Sequence, residues 1–147
     1  MLKLIMCVKR RAHLTREEFD HYWRNHHASL VIKHTERLGI RKYIQTVPLA
    51  NSAAQSALQQ TRNSSPVNFD GCAELWWDSL ESHLAARKTE EGLSALQELI
   101  DDEGKFVDLE RSQLWYGEER CVISGGNVDG FKNYSICRFR SDFLVKI

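Results

Sequence analysis

Leu2, Leu4, Met6 and Val8 alternate with their neighbours over residues 2 to 9, the period-two pattern of a strand with one face in a core. Ile5 and Cys7 make the opposite face partly apolar, so this strand is expected to be covered on both sides. The period then changes. In "HLTREEFDHYW", Thr15 and Glu18 form a capping box, and Leu14 and Phe19 stand where a hydrophobic staple is made. A helix is predicted from Thr15 to at least Ser29, extending toward Arg37, with Gly39 as its stop.

Residues 41 to 49, "RKYIQTVPL", are rich in β-branched and aromatic side chains and close on Pro48, which predicts a second strand at an end or edge. From 51 to 68 the chain turns to small and amide side chains with too few apolar groups for a core face. A mobile insertion is expected there, with one or two helical turns around Ala53 to Gln60. "CAELWWDS", residues 72 to 79, predicts a third strand with Ala73, Leu75 and Trp77 on one face and Glu74, Trp76 and Asp78 on the other. Asp78 and Glu81 then suggest the cap of a second helical region, carried by Leu80, Leu84, Leu93, Leu96 and Ile100 around a break near Thr89 to Gly92. Residues 111 to 123 predict a fourth strand, and the extension 124 to 147 has room for one more.

The order β-α-β, β-α-β predicts an α+β fold of ferredoxin-like, split βαβ type with a four-stranded antiparallel sheet, in a single domain spanning 1 to 147. Helices on one side of such a sheet leave the other side open, and the apolar residues of "ELWW" predict that it pairs with a second copy in a homodimer.

Composition narrows the function. Twenty basic residues balance twenty acidic ones, so the electrostatic footprint of a nucleic-acid binder is missing. The amino terminus places its charges after a short apolar run, the reverse of a signal peptide, and no stretch reaches membrane-span length, which predicts a soluble cytoplasmic protein without a membrane partner. Cys7, Cys72, Cys121 and Cys137 contain no C-x-x-C pair, so reduced, structural thiols are expected and no zinc or redox motif is supported.

The candidate chemistry centres on "YWRNHHASL". At about 100° per residue, Phe19, Trp23, His26 and Leu30 share one helical sector, which puts His26 near its centre and His27 at the rim. Each histidine has a plainer reading, His26 as a core side chain with one backbone partner and His27 as a half-exposed one. No His-x-x-x-His pair occurs on this helix, so no metal is expected. An imidazole at the rim of an aromatic pocket is equipped for proton transfer. Trp23, Trp76, Phe106 and Trp115 are candidate walls of that pocket, although core packing explains most aromatics. Tyr43 is a candidate hydroxyl donor, Gln45 shares its strand face and suits ligand binding, and Glu74 is a candidate to orient an imidazole or act as a base. Gln45 has a plainer reading as a solvent-facing strand residue, and Glu74 one as a charge at a sheet edge or dimer seam. No Gly-x-Ser-x-Gly elbow is present, so nucleophilic catalysis has little support.

"LIMCVKRRAHLTREEFDHYWRNHHASLV", "IRKYIQTV", "DGCAELWWDSLE" and "FVDLERSQLWYGEE", in that order, resemble the EthD-domain family of dimeric α+β barrel proteins over roughly residues 2 to 119. The resemblance implies a ferredoxin-like protomer that dimerises through its sheet, a small-molecule cavity between sheet and helices, and diverse, usually cofactor-independent chemistry. It matches His27 to the family's usual histidine, Tyr43 and Gln45 to its Tyr-x-Gln segment, and Glu74 and Trp76 to its strand, while His26 stands where relatives vary. Two departures stand out: Ser29 where relatives commonly have proline, and Val47 where they often have a second histidine.

The expected function is a cofactor-independent lyase, of decarboxylase or dehydratase type, on an aromatic or polyketide-like keto acid, with His27 as general acid/base. Two alternatives stay open. One is a non-catalytic binder of a hydrophobic metabolite acting as an accessory to a pathway, and the other is a cofactor-free monooxygenase.

Overall fold

The computed structural model describes residues 1–50, 52–120, 122–124 and 135–136. Four strands, β1 (Leu2–Val8), β2 (Lys42–Thr46), β3 (Gly71–Trp77) and β4 (Gln113–Glu118), form one antiparallel sheet in the order β2-β3-β1-β4. β3 lies between β1 and β2 and runs antiparallel to both, which is the split βαβ arrangement of a ferredoxin-like fold.

Thr15 caps α1 (Arg16–His21) through the capping box with Glu18. The helix continues through a π-helical segment, Tyr22–His27, into α2 (Ala28–Leu38), and ends at Gly39, whose φ of 64° lies in the left-handed region. The 51 to 68 stretch holds a longer helix than its sequence suggests, α3 (Ala53–Arg62), capped by Ser52 and closed by Asn63 at φ 48°, with no buried residue. α4 (Leu80–Ala86) and α5 (Glu90–Phe106) follow β3, and a short 3-10 turn, Leu109–Arg111, leads into β4.

The expected Asp78–Glu81 cap is not made. Arg41 holds the Asp78 carboxylate at 2.5 and 2.8 Å, and Ser79 caps α4 in its place through a box with Ser82. β2 and β4 are both shorter than the patterns suggested. β2 stops at Thr46, before Pro48 and Val47, and β4 stops at Glu118. At the junction with the extension, β5 (Ile123–Ser124) pairs with β6 (Ser135–Ile136); Cys121, Cys137 and the rest of the extension lie outside the described residues. Cys7 and Cys72, opposite one another on β1 and β3, are free thiols.

Register divides the sheet into two faces. Leu4, Met6, Tyr43, Gln45, Ala73 and Leu75 share the face under the helices, while Lys3, Ile5, Ile44, Glu74, Trp76 and Trp115 share the other. Two buried clusters fill the helix side, one around Val31, Leu38, Trp77 and Leu99, the other around Phe19, Trp23, Ala73 and Phe106. Among the described residues no helix is long and apolar enough to cross a membrane.

The second cluster depends on a close approach at Gly71. A Cβ there would collide with the Trp23 ring, standing 2.9 Å from its Cη2, and would sit 3.1 Å from the Thr46 carbonyl oxygen. Trp23 is buried and the Thr46 contact is backbone, so neither yields cheaply. Gly71→Ala is expected to lower stability by about 1–3 kcal/mol. Urea unfolding followed by tryptophan fluorescence checks this, and an unchanged midpoint would show that the ring moves aside freely.

Candidate functional site

The π turn decides which histidine points inward. Ala28 N–H donates to the Trp23 carbonyl five residues back, so one extra residue is accommodated in that turn and the helix face is rotated relative to a regular α register. The positions facing the sheet become Phe19, Trp23, His27 and Val31. His27 is 5 % exposed and lines a cavity of about 80 Å³; the His26 side chain is 60 % exposed and lies against Tyr22 at the surface. This reverses the order expected of an unbroken helix.

His27 Nδ1 lies 2.8 Å from Asp102 Oδ2 on α5. Asp102 is 2 % exposed, and its other oxygen accepts from the Tyr22 hydroxyl at 2.7 Å and from Lys105 Nζ at 3.2 Å, with His26 Nε2 at 3.5 Å. Burial acts to raise the Asp102 carboxyl, but the bonds from Tyr22, His27 and Lys105 outweigh it and hold the group below the ordinary aspartate value. An ionised carboxylate only accepts, so Nδ1 carries the proton and Nε2 keeps its lone pair. Nε2 has no protein partner among the described residues and is not sealed off by packing. Burial lowers the imidazole's pKa, the Asp102 charge working against it, so the ring is neutral at neutral pH. A neutral imidazole with a fixed tautomer and an unshared lone pair, on a residue that lines a cavity, is a proton acceptor.

Tyr43 lines the same cavity. Its Oη accepts from Trp23 Nε1–H and from Gln45 Nε2, each at 2.9 Å, so its own proton has no acceptor among the described residues. Burial pushes this phenol up to about 12, against the lowering effect of the two bonds, so it stays a neutral donor. Gln45 spends its second N–H on the Trp23 carbonyl at 3.0 Å. It therefore holds Tyr43 and the π turn in place, and it does not line the cavity.

Of the other residues chosen from the sequence, Trp23 and Phe106 are cavity walls, Phe106 with its ring centroid 5.0 Å from that of His27. Glu74, Trp76 and Trp115 lie on the opposite face, so the sheet separates them from His27. The period-two alternation of β1, β3 and β4 compels this. Glu74 pairs with Lys3 at 2.5 Å, and Trp76 carries Lys3 and Lys42 over its ring and donates to Glu119.

Four polar residues that the sequence did not single out belong to the site: Asp102 behind His27, and Glu103, Arg87 and His83 on the cavity wall. Glu103 has no side-chain hydrogen-bond partner among the described residues. Its pKa is pushed up to about 7, first by burial and then by the Asp102 charge, with Arg87 opposing. His83 is buried against Trp77 and bonded to Tyr116 Oη at 2.9 Å, and burial followed by the Arg87 charge lowers it to about 4. Among the described residues no group of three or more His, Cys, Asp or Glu side chains is placed to hold a metal ion.

These shifts make opposed contributions to stability. His83 and His27 titrate lower in the folded chain than their ordinary 6.5, so the unfolded chain takes up protons first and stability is lost as pH falls below that value. Glu103 titrates above its ordinary 4.5, so the unfolded chain releases its proton first and stability is lost as pH rises toward about 7. In the shared window the two effects offset. Glu103→Gln should therefore give a stability that climbs with pH between 4.5 and 6.5, and His83→Gln one that is flat or falling there. Urea midpoints measured across that window decide it, and profiles parallel to wild type would count against both assignments.

A family model for the EthD domain matches residues 11–110. Among solved structures, an EthD-family protein from Bacillus halodurans C-125 aligns with a TM-score of 0.55 at 26% identity, covering 82% of this chain and 99% of that one. An EthD-like protein from Ralstonia eutropha JMP134 aligns with a TM-score of 0.50 at 22% identity over 80% of this chain and 90% of its own. HapK from Hahella chejuensis gives 0.53 at 10% identity over 88% and 100%. The last two are likenesses of fold alone. No curated protein matches the chain. With the domain model spanning 100 of 147 residues on a ferredoxin-like fold, the chain belongs to the EthD-domain family.

Proposed function

We propose that the protein is a cofactor-independent lyase that acts on an aromatic or polyketide-like keto compound, with His27 as the proton-transferring group. The observation that carries this reading is the His27–Asp102 pair opening on a mostly apolar cavity. Of the two lyase reactions expected, elimination of water suits the resting state better, because the neutral ring is ready to accept a proton. The α-proton of a β-hydroxy ketone passes to Nε2, and Tyr43 hydrogen-bonds the oxygen on which the enolate charge develops. The electron pair then returns to form the C=C bond as the β C–O bond breaks, and the imidazolium gives its proton to the departing hydroxide as water. Asp102 stabilises the imidazolium between those steps.

A panel of aromatic β-hydroxy ketones and β-keto acids, scored by enone absorbance and by CO₂ release, tests this. His27→Gln is expected to lower kcat/KM by about 10²–10⁴-fold while leaving ligand affinity nearly unchanged. Tight binding by the wild type without turnover would support a carrier instead, and full turnover by the variant would remove His27 from the chemistry.

We also propose that the open face of the sheet pairs two protomers. Ile5 and Ile44 are only partly covered there, and Trp115 is 45 % exposed. Trp115→Glu should shift the protein from dimer to monomer in sedimentation velocity at micromolar concentration. A wild-type monomer, or a variant that remains dimeric, would contradict this pairing.

A further inference from the structure

The cavity is apolar apart from a few groups, and one of them carries a permanent charge. Arg87, at the end of α4, lines it, and its guanidinium forms no hydrogen bond or ion pair among the described residues. Its charge nevertheless reaches two other cavity residues, His83 and Glu103. Glu103 is the carboxylate expected to neutralise it, yet the two form no ion pair, and the Glu103 carboxyl oxygens have no partner among the described residues.

The groups around Glu103 leave the balance positive. Asp102, beside it on α5, has its charge committed to His27, Tyr22 and Lys105. His27 from the π turn, His83 from α4 and Tyr43 from β2 are all neutral in this environment. Arg87 is thus a half-buried cation beside a mostly apolar space with a protonatable carboxyl near it, and a bound anion would complete that arrangement.

We propose that Arg87 and Glu103 form a subsite for the carboxylate of an organic monoacid, with the guanidinium pairing the anion and the protonated Glu103 donating to it. The ring or acyl chain of the acid then lies along Trp23, Phe106 and Leu99 toward His27. This rests on the cavity being the ligand site and deepens that reading: the substrate class is a keto acid ionised at one end. Ligand affinity becomes linked to Glu103, because the carboxyl donates only while it holds its proton. Ionised, it repels the ligand instead.

Phenylpyruvate and the uncharged phenylacetone serve as paired probes, with Kd read from quenching of the cavity tryptophans. The wild type should bind the acid about tenfold tighter than the ketone at about pH 6, and most of that preference should vanish by about pH 8. Arg87→Met should abolish the preference at both pH values while leaving phenylacetone binding unchanged, and Arg87→Lys should keep part of it. Glu103→Gln, which donates at any pH, should retain the preference and lose its pH dependence. Equal affinity for the two probes, a preference that survives Arg87→Met, or binding of neither probe overturns the subsite. The measurement needs no turnover, and His27→Gln should leave the preference intact. A protein that selects the acid without transforming any ketone would keep this subsite and lose the lyase reading.

Discussion

The fold and the site meet in one hydrogen bond, from His27 Nδ1 to Asp102 Oδ2. A carboxylate with 2 % exposure is unstable in an apolar interior unless its lone pairs are occupied, and Asp102 occupies them with Tyr22, His27 and Lys105. Two of those donors, Tyr22 and His27, are the first and last residues of the π segment, five positions apart. In a regular α-helix, residues five apart stand about 140° from one another, too far around to reach one carboxylate. The wider turn brings them together, so the irregular backbone and the buried charge require one another. The helix is bent out of its usual register by a carboxylate on the neighbouring element.

The sheet then sorts the remaining groups. Because strand residues alternate, each side chain is assigned to the cavity or to the open face by parity alone. Tyr43 and Gln45 fall beside His27, and Glu74 and Trp76 fall behind the sheet. Behind the sheet, charge and aromatic area are used for packing, with two lysines over Trp76 and one of them bound to Glu74. On the cavity side most polar groups are neutral or half-protonated, which keeps the space apolar while holding protons in it. Gly71 connects the two arrangements, since its missing side chain lets Trp23 lie against β3 and donate to Tyr43.

Legibility in the sequence follows the range of the interaction. The capping box at Thr15, the Gly39 stop and the alternation of β1 and β3 are local, and each is visible in a few neighbouring residues. The Asp78 cap misled because Arg41, 37 residues away, takes the carboxylate. His26 and His27 exchanged roles because a π turn has no propensity signature of its own and arises here from a contact 75 residues distant. Asp102 and Glu103 sit in "IDDEGKF", which reads as a solvated acidic helix end. The one available signal was phase. Ala95, Leu99, Asp102 and Phe106 recur at helical spacing, so Asp102 falls on the buried stripe of α5 even though its residue type argues for solvent.

That misplaced carboxylate also bears on whether the cavity does chemistry or only holds a guest. A binder gains little from an ionised group sealed behind its wall, since the cost of desolvating Asp102 is not returned as ligand contact. Residues such as Tyr43 and Phe106 would retain a hydrophobic guest as well with a leucine at 102. What Asp102 provides is a fixed tautomer and an anion beside a ring that becomes charged only when it takes a proton. In the resting state burial lowers the His27 pKa. Once the ring is protonated the same low-dielectric surroundings strengthen its attraction to Asp102, which offsets part of the burial cost of the charged ring. A ring that rests neutral, with an anion offsetting part of the cost of charging it, is suited to a step in which His27 accepts a proton and gives it back.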